Sequence, residues 1–370
     1  MPPVPSIRVG LADDSGLMRA LVGRALESAG FEVVGRARDG VEALELVRDE
    51  RPDVLALDLT MPKMGGLEVL RRMAQGEAPA IPVVVVSAFS PAEGATAVDA
   101  LTAGAFDLVA KPEAGGLRSF TRELAEKVAA AAESRRGGPA ARARRPLGAP
   151  TGSTPTPAPT PAASGVRAAR RAVTASGRDR VVVIASSTGG PKALATLIPE
   201  LPATLGAGTL LVQHMPPGFT RSLAERLDRT SRISVREAED GDELDPGTIL
   251  VAPGGFHLRV DDGGTLHNTL EPPVGGLRPR ADHTIADIAK RFRDRVLLVV
   301  LTGMGRDGHD GAQLVRKHGG TILVESADTA TVYGMPRAVA EAGLADAVLP
   351  LPELAAAVAE HAGSPVRSLR

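Results

Sequence analysis

Short apolar runs alternate along the chain with stretches whose apolar positions recur three or four residues apart. The run SIRVGLA leads into SGLMRALVGRALESAG, where Leu17, Leu21, Val22, Ala25, Leu26 and Ala29 fall at helical spacing and Gly30 closes the helix. FEVVGRA, PDVLALDL, IPVVVVSAF and FDLVAKP repeat the strand pattern, with helices predicted over 40–50, 66–75, 91–103 and 117–132. Five βα units predict a parallel sheet covered by helices on both faces.

Between 134 and 178 the alternation stops. That stretch is rich in Pro, Ala, Thr and Arg, holds no acidic residue and almost no bulky apolar one. It cannot bury enough surface to offset its ordering entropy, which predicts a disordered linker. From 179 the runs RVVVIAS, GTLLVQHM, GTILVAPGG, RVLLVVLTGMG and GGTILVES restore the α/β alternation and predict a second, doubly wound domain. FHLRVDDGGTLHNTL breaks it, with two alternating runs around Asp-Asp-Gly-Gly that read as an inserted β-hairpin. The expected division is 5–132, a linker over 133–178, and 179–363.

Composition narrows the function classes. With 370 residues and a formal net charge of −1, nothing in the whole-chain charge argues for nucleic acid or membrane binding. Without cysteine there are neither disulfides nor thiolate metal sites. Aromatics at 2% argue against stacking platforms for single strands. MPPVPSIRVG lacks the pattern of a signal peptide, and VLLVVL and IPVVVV are far too short to cross a bilayer. A cytoplasmic protein without membrane insertion is the expectation.

In an open parallel sheet, ligands bind beyond the carboxyl ends of the strands. In the first region those ends carry Asp13 and Asp14, Asp58, Ser87 and Lys111. Asp14 or Ser15 alone could simply cap a helix. Five polar residues at four strand ends are hard to attribute to capping. Three carboxylates together call for a hard cation such as Mg2+, leaving the hydroxyl and the ammonium for a phosphoryl group. With these residues in place, the region resembles the receiver domain of two-component response regulators, a flavodoxin-like (βα)5 fold. The resemblance implies Asp58 as phosphoacceptor, with Asp13, Asp14, Asp58 and the Thr60 carbonyl on Mg2+. It also implies Ser87 and Lys111 as the phosphate switch, and a cis peptide before Pro112. Leu108 departs from the aromatic that many receivers carry at that place.

The second region raises a question at RVVVIASSTGGPKAL, where an apolar run meets hydroxyls, glycines and a helical pattern. A nucleotide cradle would need G-x-G-x-x-G or G-x-x-x-x-G-K-[ST], and neither is present. A simple helix cap before Pro191 is the plainer reading. Against it, His214 and Asp307 also lie just past strand ends, so Ser, His and Asp could assemble a triad in that chain order. No G-x-S-x-G elbow occurs. His257 and His309 compete as base and Asp282 and Asp310 as orienting acid, while His267, His283, His318 and His361 read as surface residues. No H-x-x-x-H or H-E-x-x-H pair supports a metal. Spacing alone does not choose between the serines or the histidines.

The segments IASSTGGPKAL, LLVQHMPPGFTRSLAERL, LVAPGGFHL, VVLTGMGRDGHDGA and VYGMPRAV resemble the catalytic domain of chemotaxis protein-glutamate methylesterases, the CheB family. The resemblance implies Ser187 as nucleophile, His214 as base and Asp307 as orienting carboxylate, with Thr188 and Met304 lining the site, Met304 as a backbone oxyanion donor. It implies removal of methyl esters from glutamates on the cytoplasmic helices of chemoreceptors, releasing methanol, and deamidation of receptor glutamines. It further implies a CheA-type histidine kinase as phosphodonor, no cofactor for the esterase step, and a receiver that covers the cleft until phosphorylated. RPRADHTI, 278–285, departs from the family's R-P-S-V-D-x-L-F but keeps Asp282. Rival readings are a non-catalytic docking module and a hydrolase of another ester or amide; no recognition helix supports a DNA-binding output.

Overall fold

In a computed structural model of the chain, the structure describes residues 6–88, 91–112, 116–137 and 180–363. The expected linker lies outside the described residues from 138 onward.

The first domain is a parallel sheet of order β2-β1-β3-β4-β5. Its elements in chain order are β1 (Arg8–Ala12), α1 (Gly16–Ser28), β2 (Glu32–Ala37), α2 (Gly40–Glu50), β3 (Val54–Leu57), α3 (Gly66–Ala74), β4 (Val83–Ser87), α4 (Pro91–Thr102), β5 (Asp107–Ala110) and α5 (Leu117–Gly137). Strands β3 and β4 are buried at every position, because helices cover both faces of the sheet and neither face needs polar residues. Ser15, not Asp14, caps α1, its side chain accepting the N–H of Met18 at 3.3 Å. Helix α5 runs beyond its predicted end because AAAAESRR is strongly helix-forming.

The second domain holds β6 (Val181–Ser186), α6 (Gly190–Leu197), β7 (Gly208–Gln213), α7 (Phe219–Asp228), β8 (Ser234–Glu237), β9 (Thr248–Val251), β10 (His257–Val260), β11 (Leu266–Thr269), α8 (Ala281–Phe292), β12 (Val296–Val300), α9 (His309–Lys317), β13 (Thr321–Glu325), α10 (Met335–Glu341), β14 (Ala347–Leu349) and α11 (Leu351–His361). Its seven-stranded sheet has the order β14-β13-β12-β6-β7-β9-β8, and every pairing is parallel. The predicted hairpin is present as antiparallel β10 and β11, outside that sheet. Edge strands β8 and β14 escaped the sequence pattern because they are short and only partly buried.

The chain leaves β6 toward β7 on one side and later returns to β12 on the other, so β6 stands at the topological switch point. A crevice opens there beyond the strand ends. The two domains touch: α4 packs on α6 and α7, and Arg226 lies 3.5 Å from Asp99. Among the described residues the cis peptide is Arg278–Pro279; the one expected before Pro112 is not found.

Candidate active site

Strand β6 leads into two adjacent serines, and the structure gives them different surroundings. Ser186 is fully buried and its hydroxyl donates to Gln213 Oε1 at 2.6 Å. The amide of Gln213 donates in turn to the carbonyls of Ser187 at 2.9 Å and His214 at 3.1 Å. Ser187 sits on the turn itself, its N–H donating to Thr302 O at 3.0 Å. The helix-cap reading fails: the N-cap of α6 is Gly189, with φ of 79° and no side-chain cap bond. That left-handed backbone favours glycine, and a Cβ on Gly190 would overlap the side chain of Gln213.

His214 follows β7, and its Nε2 lies 2.7 Å from Asp307 Oδ2. Facing a carboxylate, Nε2 carries the proton in the neutral ring, which leaves Nδ1 as the acceptor. Nδ1 is buried and forms no hydrogen bond, so the Ser187 hydroxyl is not bonded to it in this conformation. Among the described residues no acceptor takes the N–H of Met304, which is half-buried in the turn after β12. A Cβ on the preceding Gly303 would lie 2.9 Å from that of Ser187.

Asp307 is buried and saturated. Its Oδ2 also accepts the N–H of Ala281 at 2.7 Å, and its Oδ1 accepts those of Asp282 and Gly308, each at 3.0 Å. Asp307 therefore caps α8 from outside the helix, where the macrodipole favours an anion. Asp282 returns the arrangement, its Oδ1 accepting the N–H of Gly308 at 3.0 Å and of Gly311 at 2.8 Å at the start of α9. Arg280 sits 2.9 Å from Asp282 Oδ2 and 3.5 Å from Asp307 Oδ1. Burial opposes the charge of Asp307, yet the His214 contact and the Asp282 donors hold its carboxyl well below the usual range. Burial and the neighbouring Asp307 push Asp282 up to about 6.

The competing residues lie elsewhere. His257 is a buried residue of the hairpin, at the start of β10, its Nε2 3.3 Å from Pro272 O and its ring centroid 4.6 Å from that of His283. Burial pushes its pKa down. His309 and Asp310 bond to one another at 2.8 Å. His267, His283, His318 and His361, expected at the surface, are all half-buried. Thr188 is buried, and its hydroxyl donates to Asp107 of the first domain.

At the other crevice, carboxylate oxygens of Asp13, Asp14 and Asp58 lie within 4.8 Å of one another. Lys111 Nζ is 2.8 Å from Asp58 Oδ2 and 2.9 Å from Asp13 Oδ2. Burial raises the pKa of Asp58 although Lys111 opposes it. Burial works against the charge of Lys111 too, but its two carboxylate partners raise its pKa. Thr60 N–H reaches Asp58 Oδ1 at 3.4 Å, and Ser87 is buried at the end of β4. Two buried carboxylates, one exposed and a single ammonium form an oxygen-rich donor set that fits a hard divalent cation.

Residues 182–358 match the family model for CheB methylesterase and residues 9–119 that for the response regulator receiver domain. A hydrolase coupled to a receiver is the class that this defines. The chain belongs to the CheB methylesterase family and is an enzyme, a protein-glutamate methylesterase. It is 42% identical to protein-glutamate methylesterase/protein-glutamine glutaminase 2 of Caulobacter vibrioides, over 97% of this chain and 99% of that one. It is 43% identical to the Symbiobacterium thermophilum protein-glutamate methylesterase/protein-glutamine glutaminase, over 96% and 97%. A solved structure, the Thermotoga maritima CheB methylesterase catalytic domain, is 44% identical with a TM-score of 0.48, over 49% of this chain and 97% of that one.

Gln213 and the link from Thr188 to Asp107 are not marked by any motif in the sequence. A polar residue inside the apolar run LLVQHM was the available signal for the first; nothing local marked the second.

The Asp282–Asp307 pair sets a pH dependence. The folded-state pKa of Asp282 is raised, so its stabilising protonation is full below the unfolded value of 3.8 and is lost as pH rises through about 6. Relative to Asp282→Asn, the wild type is expected to lose stability between about pH 4 and about pH 7 in urea unfolding. A difference between the two proteins that stayed constant over that range would contradict the raised pKa.

Proposed function

We propose that Ser187 attacks the methyl ester of a receptor glutamate while His214 Nδ1 takes its proton and Asp307 holds the imidazole on its other side. The observation that carries this reading is His214 itself, fixed by a saturated carboxylate at Nε2, left with a buried, unbonded Nδ1, and held next to the end of β6 by its N–H donating to Ser186 O at 3.1 Å. Backbone N–H groups of the Ser-Thr-Gly-Gly turn and of Met304 stabilise the tetrahedral oxyanion. Methanol leaves, and water releases the acyl-enzyme as glutamate. A primary amide reacts by the same route with ammonia leaving, which is glutamine deamidation. The substrates in this reading are methylated helices of chemoreceptors, and the reaction takes place in the cytoplasm. No helix among the described residues is long and apolar enough to cross a membrane.

In the same proposal Asp58 accepts a phosphoryl group from a CheA-type histidine kinase. Asp13, Asp14, Asp58 and the Thr60 carbonyl would hold Mg2+, whose charge offsets that of the incoming phosphoryl group. Ser87 and Lys111 then bind the phosphoryl oxygens. The unphosphorylated receiver restrains the esterase. Supporting this, Thr188, next to the nucleophile, is bonded to Asp107, and Val332 from the loop before α10 packs against the first domain's core.

Methanol release from methylated receptors, with and without a small phosphodonor, tests both halves. Ser187→Ala is expected to lower the rate on the order of 10⁴-fold or more, while Ser186→Ala keeps a Ser187-dependent reaction. Asp58→Asn is expected to keep the basal rate and lose the phosphodonor response. An active Ser187→Ala protein would sink the nucleophile assignment.

The restraint has its own test. Asp107→Ala removes the acceptor of the Thr188 hydroxyl without touching the triad, and is expected to raise methanol release in the absence of phosphodonor severalfold. A basal rate equal to that of the wild type would mean that this contact does not hold the enzyme back.

A further inference from the structure

Glu325 ends β13 with a side chain wholly removed from solvent. Among the described residues no ion pair reaches it. Burying a carboxyl group without a counter-charge is unfavourable, and here burial pushes its pKa up. Each of its two oxygens nevertheless has a hydrogen-bond donor. Oε2 accepts the N–H of Thr302 at 2.7 Å, and Oε1 accepts the hydroxyl of Thr329 at 3.0 Å.

The position of that bond explains its role. The β12–β13 ladder ends at the pair Val300–Val324, one residue before Glu325. Beyond it the chain turns away into the Gly303–Gly305 loop, and Thr302 has no strand carbonyl to receive its N–H. The Glu325 side chain supplies that acceptor. Thr302 is a junction in turn: its carbonyl accepts the N–H of Ser187 at 3.0 Å, and its hydroxyl donates to Thr188 O at 2.8 Å. The same hydroxyl accepts the N–H of Val332 at 2.9 Å, while Gly303 O accepts those of Gly334 and Met335. The nucleophile turn, the Met304 turn and the loop before α10 are thus tied together at one residue, which Glu325 anchors.

We propose that Glu325 is a positioning residue of the esterase: its buried carboxyl oxygen fixes the Thr302 peptide and through it the geometry of Ser187, Thr188 and Met304. The inference rests on Ser187 being the nucleophile. An oxygen acceptor is required rather than a charge, so glutamine, with a carbonyl of equal reach, can replace Glu325, whereas methionine, of similar length, cannot.

The test compares Glu325→Gln and Glu325→Met in the full chain with phosphodonor present, following kcat and KM for methanol release and the folded fraction by circular dichroism. Glu325→Met is expected to lose on the order of 10²-fold in kcat with KM unchanged, because small displacements of a reacting group carry such costs. Glu325→Gln is expected to keep the wild-type kcat. A folded Glu325→Met protein with wild-type kcat, or a folded Glu325→Gln protein as impaired as Glu325→Met, would overturn the proposal. If Glu325→Met does not fold, the kcat of Glu325→Gln decides alone. Ser187→Ala run in parallel separates the two readings: its retaining activity indicts the nucleophile assignment, not the role of Glu325.

Discussion

The second domain depends on how a buried negative charge is kept in the turn between β12 and α9. Asp307 accepts hydrogen bonds from three backbone N–H groups and lies beside one imidazole, within reach of the Arg280 guanidinium. Removing one donor from such a buried carboxylate costs at least about 1–3 kcal/mol, since the acceptor is left unsatisfied. The solution is local: two helix N-termini exchange carboxylates, Asp307 capping α8 and Asp282 capping α9. That exchange locks the two helices together while it orients His214. It also divides the charge unevenly, one carboxyl held low by the imidazole and the other raised by burial and its neighbour. Asp282, a candidate for the orienting role, instead holds Asp307 in place through its own N–H.

Both crevices follow from one topological rule. In each sheet the strand order reverses around the first strand of the domain, and polar side chains gather where the connections diverge. In the first domain the result is carboxylates compensated by Lys111; in the second it is a serine, a histidine and a carboxylate on three adjacent strand ends. The backbone provides the location, and the side chains alone make one crevice an acidic cluster with an ammonium and the other a gathering of serine, histidine and carboxylate.

Much of this was legible. Fully buried strands such as β4, β6 and β12 announce themselves as unbroken Val, Ile and Leu runs, and polar residues at their ends stand out against them. Edge strands β8 and β14 were not legible, because three or four residues that are only partly buried hold too few apolar positions to form a pattern. Nor could spacing tell Ser186 from Ser187: the difference is that Gln213, on a neighbouring strand, engages one hydroxyl and not the other. Glu325 reads as the polar end of an apolar strand, and only the geometry of Thr302 gives it a purpose. The tilted contact of His283 with His257 was hidden for the same reason, since it joins a helix to a hairpin.

The coupling proposed between the domains has a short physical route. Strand β5 begins at Asp107, which receives the Thr188 hydroxyl, and ends just before Lys111, which reaches Asp58. Four residues of extended chain span only about 13 Å. Asp107 is also gripped by Lys127 of α5, whose ammonium lies 3.3 Å away and donates to Leu108 O at 2.6 Å. The strand therefore cannot shift at one end without disturbing the other. A phosphoryl group on Asp58 would draw Lys111 toward its oxygens and pull on the same strand that holds Thr188. On this route the buried Leu108 serves as packing, and no aromatic swing is required to carry the signal.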